Sequence, residues 1–170
     1  DGQLKVVSVK GISIEKKFIN TKADMTGVSL KTYLRVEPNY FSYVPITSRN
    51  GDKITLALNT TNETYLVSSS YFVFKINNEK ELCPQYLMMF FSRSEFDRYS
   101  RYYSWGSARE AFDWNEMCNV EIPVPDITIQ KSIVQIYNAY QKRKSIAEKM
   151  KAQINSICPV LIKGALQEGE

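Results

Sequence analysis

The chain has 170 residues, 44% of them hydrophobic and 24% charged, with a formal net charge of +4, enough for one domain with a real core plus one appendage. It contains no histidine, which removes the commonest general base, the usual partner of a catalytic serine or cysteine, and the commonest metal ligand. Cys83, Cys118 and Cys158 are widely spaced and form no Cys-x-x-Cys pair, so reduced thiols are expected and neither a disulfide framework nor a zinc site is indicated.

Residues 4–76 are rich in Val, Ile, Thr, Tyr and Phe, interrupted by turn signals at Lys10-Gly11, Glu37-Pro38-Asn39 and Asn50-Gly51-Asp52, the texture of short strands. Strands are expected over 4–9, 32–36, 40–44, 53–58 and 71–76. Asn50-Gly51 suits a tight hairpin, because both residues tolerate the positive φ of a type I′ turn. After Asn77-Asn78-Glu79-Lys80 the pattern changes. Pro84 fits a first helical position, and Tyr86, Leu87, Phe90 and Phe91 recur at helical spacing, predicting a helix over 84–92. Ser94 is placed to cap a second helix reaching Tyr102. Ser104-Trp105-Gly106-Ser107 reads as a loop, and 117–122 as a last strand closed by Pro123 and Pro125.

From about Thr128 one long helix is expected. Ile133, Ile136 or Tyr137, Tyr140, Arg143, Ala147, Met150, Ile154, Ile157 and Leu161 advance by alternating threes and fours, which makes a coiled-coil seam needing a partner helix. Pro159 should kink or restart that helix, and Gly164 with Gly169 should fray its end. The expected division is therefore 1–125 for a folded domain and 126–170 for a coiled-coil spacer. No apolar run approaches the roughly 20 residues needed to span a bilayer, and residues 1–20 hold no signal sequence, so a cytoplasmic protein without a membrane role is expected.

Charge is unevenly spread. Residues 1–80 carry 11 Lys/Arg against 7 Asp/Glu, residues 81–126 carry 4 against 8, and residues 127–170 carry 7 against 3. Two basic ends around an acidic middle make a polyanion a reasonable partner.

Four blocks, taken together, resemble the specificity subunit of type I restriction-modification enzymes. The first runs from Val6-Val7-Ser8-Val9 and Lys10-Gly11-Ile12 to Tyr33-Leu34-Arg35-Val36-Glu37-Pro38-Asn39-Tyr40-Phe41-Ser42-Tyr43. The second is Ser69-Ser70-Tyr71-Phe72-Val73-Phe74, and the third is Pro84-Gln85-Tyr86-Leu87 through Phe96 with Gly106-Ser107-Ala108-Arg109 after it. The last is Ile122-Pro123-Val124-Pro125 leading to Gln130 and Ile133. The resemblance implies an α+β target recognition domain with a twisted sheet and short helices, followed by a long coiled-coil helix. It further implies a chain that reads half of a split double-stranded DNA target and docks methyltransferase and restriction subunits. It implies no cofactor on this chain, S-adenosylmethionine and adenine methylation belonging to the partner methyltransferase. A full subunit of that family has two recognition domains and two helices, and its domain usually begins some tens of residues before the position of Val6. A half subunit pairing with a second copy, or a segment lacking its start, is therefore expected.

Arg109 and Ser107 are the first candidates for DNA contact, since Arg can fork onto guanine or phosphate oxygens; a surface ion pair of Arg109 with Glu110 or Asp113 is the plainer alternative. Arg49 and Lys53 flank the Asn50-Gly51 turn and either reach a groove or remain solvated. Arg101 and Tyr102, with Arg98 and Tyr103, mix cations and aromatics as backbone-tracking surfaces do, and Tyr43 completes the DNA-binding set. Trp105 and Trp114 are expected to pack beneath the Gly106 loop. Tyr140, Ala147, Met150, Ile154, Ile157 and Leu161 are the expected partner interface. Two other classes remain open: a coiled-coil assembly module without DNA binding, and a hydrolase or transferase built on Cys118 or a serine, for which no histidine base exists.

Overall fold

The computed structural model describes residues 8–21, 23–48 and 51–167, with side chains through residue 159. Its β-rich half forms three small antiparallel sheets rather than one. Strand β1 (Lys10–Ile12) forms a hairpin with β2 (Phe18–Asn20), and β3 (Leu34–Val36) pairs with the later β6 (Tyr65–Val67). Between them in sequence, β4 (Phe41–Tyr43) lies at the centre of a three-stranded sheet, flanked by β5 (Leu56–Leu58) and β7 (Phe72–Phe74). Helices α1 (Pro84–Phe91), α2 (Ser94–Tyr102) and α3 (Trp114–Cys118) follow, and then the long α4 (Ile127–Gln167). The expected mixed α+β class with a long C-terminal helix is what the molecule has.

The core explains why such short strands persist. Strands β4 and β5 are buried along their whole length, and Phe41, Tyr43, Leu56 and Leu58 join Leu87 and Phe91 of α1, Phe96 of α2, Phe112 and Met117 in one cluster. Phe41 stacks on Phe74 at 4.9 Å and meets the edge of Phe91 at 5.9 Å; such pairs add about 0.5–1.5 kcal/mol each beyond area burial. The aromatic content of the sequence is thus largely core.

A buried ion pair fastens the first hairpin to this core. The turn between β1 and β2 closes through Ser13 N–H to Lys17 O and Lys16 N–H to Ser13 O, and Lys16 adopts φ 57°. Its Nζ donates to Asp97 Oδ1 at 2.6 Å and to the Phe91 carbonyl at 2.5 Å, while Asp97 Oδ1 also accepts from Ile54 N–H at 3.2 Å. Burial pushes the Lys16 ammonium below its ordinary pKa, more strongly than the Asp97 hydrogen bond raises it.

At the other end of the domain, Asp126 caps α4: its carboxylate accepts from Thr128 N–H at 2.8 Å and from the Thr128 hydroxyl at 2.5 Å. Gln130, with no exposed surface, accepts from Cys83 N–H at 2.9 Å and donates to the carbonyls of Glu81 and Pro125, both at 2.7 Å. The chain divides into two compact units, Asp1–Gln130 and Lys131–Glu170, so the first turn of α4 belongs with the first unit.

Several local expectations are corrected. Lys10-Gly11 lies within β1, because the turn comes three residues later, where Lys16 takes the left-handed conformation. Strands β2 and β6 are not among the expected strands; both are short and flanked by polar residues. Residues 4–7 of the first expected strand lie outside the described residues; Val9 bridges to Leu66. Strands β4 and β5 do pair, with Val44 N–H bonded to Thr55 O beyond the ladder. At the expected turn, Gly51 has the positive φ, 62°, that such a turn requires, and Asn50 lies outside the described residues. Ser94 is the first residue of α2 and its side chain does not cap it; Arg93 holds the cap position. The strand expected over 117–122 does not form: Met117 and Cys118 end α3, which the Asp113 side chain starts by accepting from Glu116 N–H at 2.9 Å, and residues 119–122 have no regular structure. Finally, α4 continues through Pro159 and Gly164 to Gln167, so the helix does not restart at the proline; Gly169 lies outside the described residues.

Candidate nucleic-acid interface

Two connecting segments run side by side on the first unit. In the later one, Trp105 and Ala111 exchange backbone hydrogen bonds, Trp105 N–H to Ala111 O at 3.1 Å and the reverse at 2.9 Å, closing a short hairpin loop over 106–110. The earlier one, 45–48, is laid against it: Thr47 N–H donates to Glu110 O at 3.0 Å, and Phe112 N–H donates to Pro45 O at 2.9 Å. Below the pair, the Thr47 hydroxyl donates to Ser104 Oγ at 2.8 Å, which in turn donates to the Ser100 carbonyl of α2 at 2.6 Å. All three side chains are buried, so this polar column fixes the base of the loop to the helix.

The tip is exposed: Gly106, Ser107, Ala108 and Arg109 all face solvent. Gly106 has φ 140°, and a Cβ there would sit 2.4 Å from the Arg109 carbonyl oxygen. Only glycine lets the chain fold back on itself this closely, and the fold-back sets where Ser107 and Arg109 stand.

Electrostatics at the tip are one-sided. Glu110 pairs with Arg101, and the Asp113 carboxylate is occupied in capping α3. Arg109 is exposed and makes no ion pair or hydrogen bond among the described residues. The plainer alternative, a surface pair of Arg109 with Glu110 or Asp113, is therefore not what the structure contains. A free guanidinium beside a hydroxyl and a tight glycine turn is an arrangement suited to phosphate oxygens or a guanine edge.

The other expected site residues are distributed unevenly. Tyr102 is 74% exposed at the end of α2, and Lys53 is exposed and pairs with Glu15 at 3.6 Å. Arg49 lies outside the described residues. Arg101, although partly exposed, holds Glu110. Tyr43 is a correction: it is fully buried, stacks on Phe72 at 5.2 Å, and its hydroxyl has no hydrogen-bond partner among the described residues. Burial, with Asp113 and Cys118 adding to it, pushes its phenol far above the ordinary range. It is a core residue. Trp114 packs on Phe74 at 5.2 Å and Phe72 at 6.2 Å, but Trp105 is 66% exposed and does not pack beneath the loop as expected.

Residues that sequence reasoning missed are Thr47, Ser104 and Ser100, whose buried column no sequence pattern announces. The exposure of Tyr102 did have a signal: Phe96, Tyr99 and Tyr103 recur at helical spacing on α2, and Tyr102 falls off that face.

In the second unit, the seam residues Ile136, Tyr140, Arg143, Ala147, Met150, Ile154 and Ile157 are all exposed. The side chain of Leu161 lies outside the described residues. Among the described residues, no group of three Cys, Asp or Glu side chains is placed to hold a metal ion, and no helix is long and apolar enough to cross a membrane.

The model of one protein family, described as the type I restriction modification DNA specificity domain, matches residues 12–156, from the last residue of β1 through most of α4. No curated protein matches the chain.

Proposed function

The chain belongs to the type I restriction modification DNA specificity domain family, and on that premise we propose that it reads one half of a split double-stranded DNA target through the 106–110 loop. A part in DNA recognition within a type I restriction-modification system follows from the family itself. The observation that carries the finer reading is the loop tip, where Ser107 and an Arg109 with no ion-pair partner among the described residues are presented by a hydrogen-bonded frame. Tyr102 and Lys53, with Arg49, are the further candidates for contact with the DNA backbone, while Arg101 acts mainly by neutralising Glu110.

In this reading the chain is not itself an enzyme. It docks methyltransferase and restriction subunits in the cytoplasm, and S-adenosylmethionine and methyl transfer reside on the methyltransferase. The exposed seam of α4, from Tyr140 through Ala147, Met150 and Ile154 to Ile157 with Leu161 in register, pairs with the helix of a second copy or of a second recognition domain.

The test is retention of a randomised duplex DNA pool by the chain, with and without its methyltransferase partner, at two salt concentrations, followed by sequencing. Enrichment of a short motif, or of a paired motif at fixed spacing, with retention falling steeply in salt, is the expected result. No retention even with the partner present would refute it and favour an assembly module without DNA binding.

A further inference from the structure

Trp105 is the anomaly of the first unit. Its neighbours in sequence satisfy their rings internally: Tyr99 meets Tyr103 at 4.5 Å, Phe96 meets Phe112 at 6.2 Å, and Trp114 lies on Phe74. Trp105 makes no ring contact among the described residues and leaves two thirds of its surface in water. Three positions earlier, Tyr102 makes one ring contact among the described residues, with the edge of Tyr103 at 4.9 Å, and is more exposed still.

This exposure is held, not incidental. Both backbone hydrogen-bonding groups of Trp105 are engaged by Ala111, and the adjacent Ser104 is anchored to Thr47 and Ser100. An exposed indole on a backbone anchored at the base of a loop, whose tip carries a cation without a partner among the described residues, with the nearby Glu110 already neutralised by Arg101, suits a partner that is both anionic and able to receive a flat apolar ring. Stacked bases between phosphates fit that description, because every base offers a π face and a wedge can open a base step. A basic protein surface does not, since Arg109 would oppose it.

We propose that Trp105, aided by the exposed Tyr102 three residues before it, places an aromatic face against the bases next to the step contacted by Ser107 and Arg109, unstacking the duplex locally. This rests on the reading of the loop as the DNA-contacting element. The ring supplies affinity and deformation independent of charge, and Arg109 supplies the charged contact.

The experiment uses the chain with its methyltransferase partner and a duplex of the sequence retained from the pool, carrying 2-aminopurine at successive positions. Wild type should brighten the probe at one step. Trp105→Ala should abolish that signal and weaken binding roughly tenfold to a hundredfold with the salt dependence unchanged, while Trp105→Phe recovers part of both. Arg109→Ala should weaken binding with a shallower salt dependence and leave the probe response of the remaining complex. If Trp105→Ala binds DNA and brightens the probe like wild type, the proposal is overturned while the loop reading stands. The same holds if it loses only capture of the methyltransferase, which would make the ring a protein contact. If wild type retains no duplex at all, both fall.

Discussion

Removing the ammonium of Lys16 should cost far more than removing any other lysine of the described first unit. Its side chain is 8% exposed and that of Asp97 12%, so Lys16→Met leaves a buried carboxylate with one remaining donor, Ile54 N–H. Breaking a buried pair from one side costs about 3–5 kcal/mol, and for a chain of this size each kcal/mol lowers Tm by about 2–4 °C, giving a fall of roughly 6–20 °C. Both Lys and Met bear the strain of φ 57°, so that term cancels. The measurement is thermal unfolding by circular dichroism for Lys16→Met, Asp97→Leu and the double variant. The double variant should recover much of the loss, because apolar replacement of the whole pair removes the unpaired charge. Salt should leave the Lys16 contribution nearly untouched, whereas that of the exposed Lys53–Glu15 pair is screened. A Lys16→Met protein melting within about 1 °C of wild type, or a double variant no better than the singles, would refute the view that this pair locks the β1–β2 hairpin to the core.

Gln130→Ala should lower stability by about 1–3 kcal/mol by orphaning the buried Cys83 N–H; Gln130→Glu should be worse, since it turns oxygen lone pairs toward the Glu81 and Pro125 carbonyls, and chemical denaturation compares the two. Gly106→Ala should force the 106–110 loop open, because its Cβ meets backbone at 2.4 Å; the expected result is loss of DNA retention with the far-ultraviolet spectrum of the domain preserved. Arg109→Ala should reduce the slope of log affinity against log salt by about one while the melting temperature stays put, read by filter binding across a salt series. The Asp126 carboxyl is held below its ordinary pKa of 3.8 by the Thr128 hydroxyl and then by Thr128 N–H. Because the folded value is the depressed one, its contribution is present above pH 3.8 and is lost as pH falls through the folded value. NMR of the Thr128 amide during acid titration should show the first turn of α4 opening in that range, and Asp126→Asn should flatten the response.

The long helix and the α1–α2 pair were legible because each repeats its apolar residues over at least two turns, enough for the 3.6-residue period to register. Strands β2 and β6 are as short as the strands that were anticipated, but they are flanked by Lys, Thr, Asn, Glu and Ser, so no apolar alternation marks them, and β6 is completed by a partner distant in sequence, Val67 with Leu34. The misplaced strand at 117–122 shows a local cap overriding apolar texture: Asp113 decides the helix, and Met117 is buried from it. The loop carrying Arg109 was legible as a loop from its glycine, yet whether Arg109 was free or paired depended on Arg101 reaching Glu110 nine positions away, which no spacing rule specifies. Tyr43 was misread because an aromatic on a short strand presents the same letter whether it faces the core or the solvent.

Gln130 has a practical corollary for exchanging one such reading module for another. The natural-looking seam is the Pro123-x-Pro125 stretch, where the sequence changes character. A graft joined there would import a glutamine, or lack one, without regard to the Cys83 amide and Glu81 carbonyl waiting for it on the other side of the seam. Cutting after Gln130 instead keeps donor and acceptors in the same inherited piece, so hybrids joined one helical turn into α4 should fold where those joined at the prolines fail.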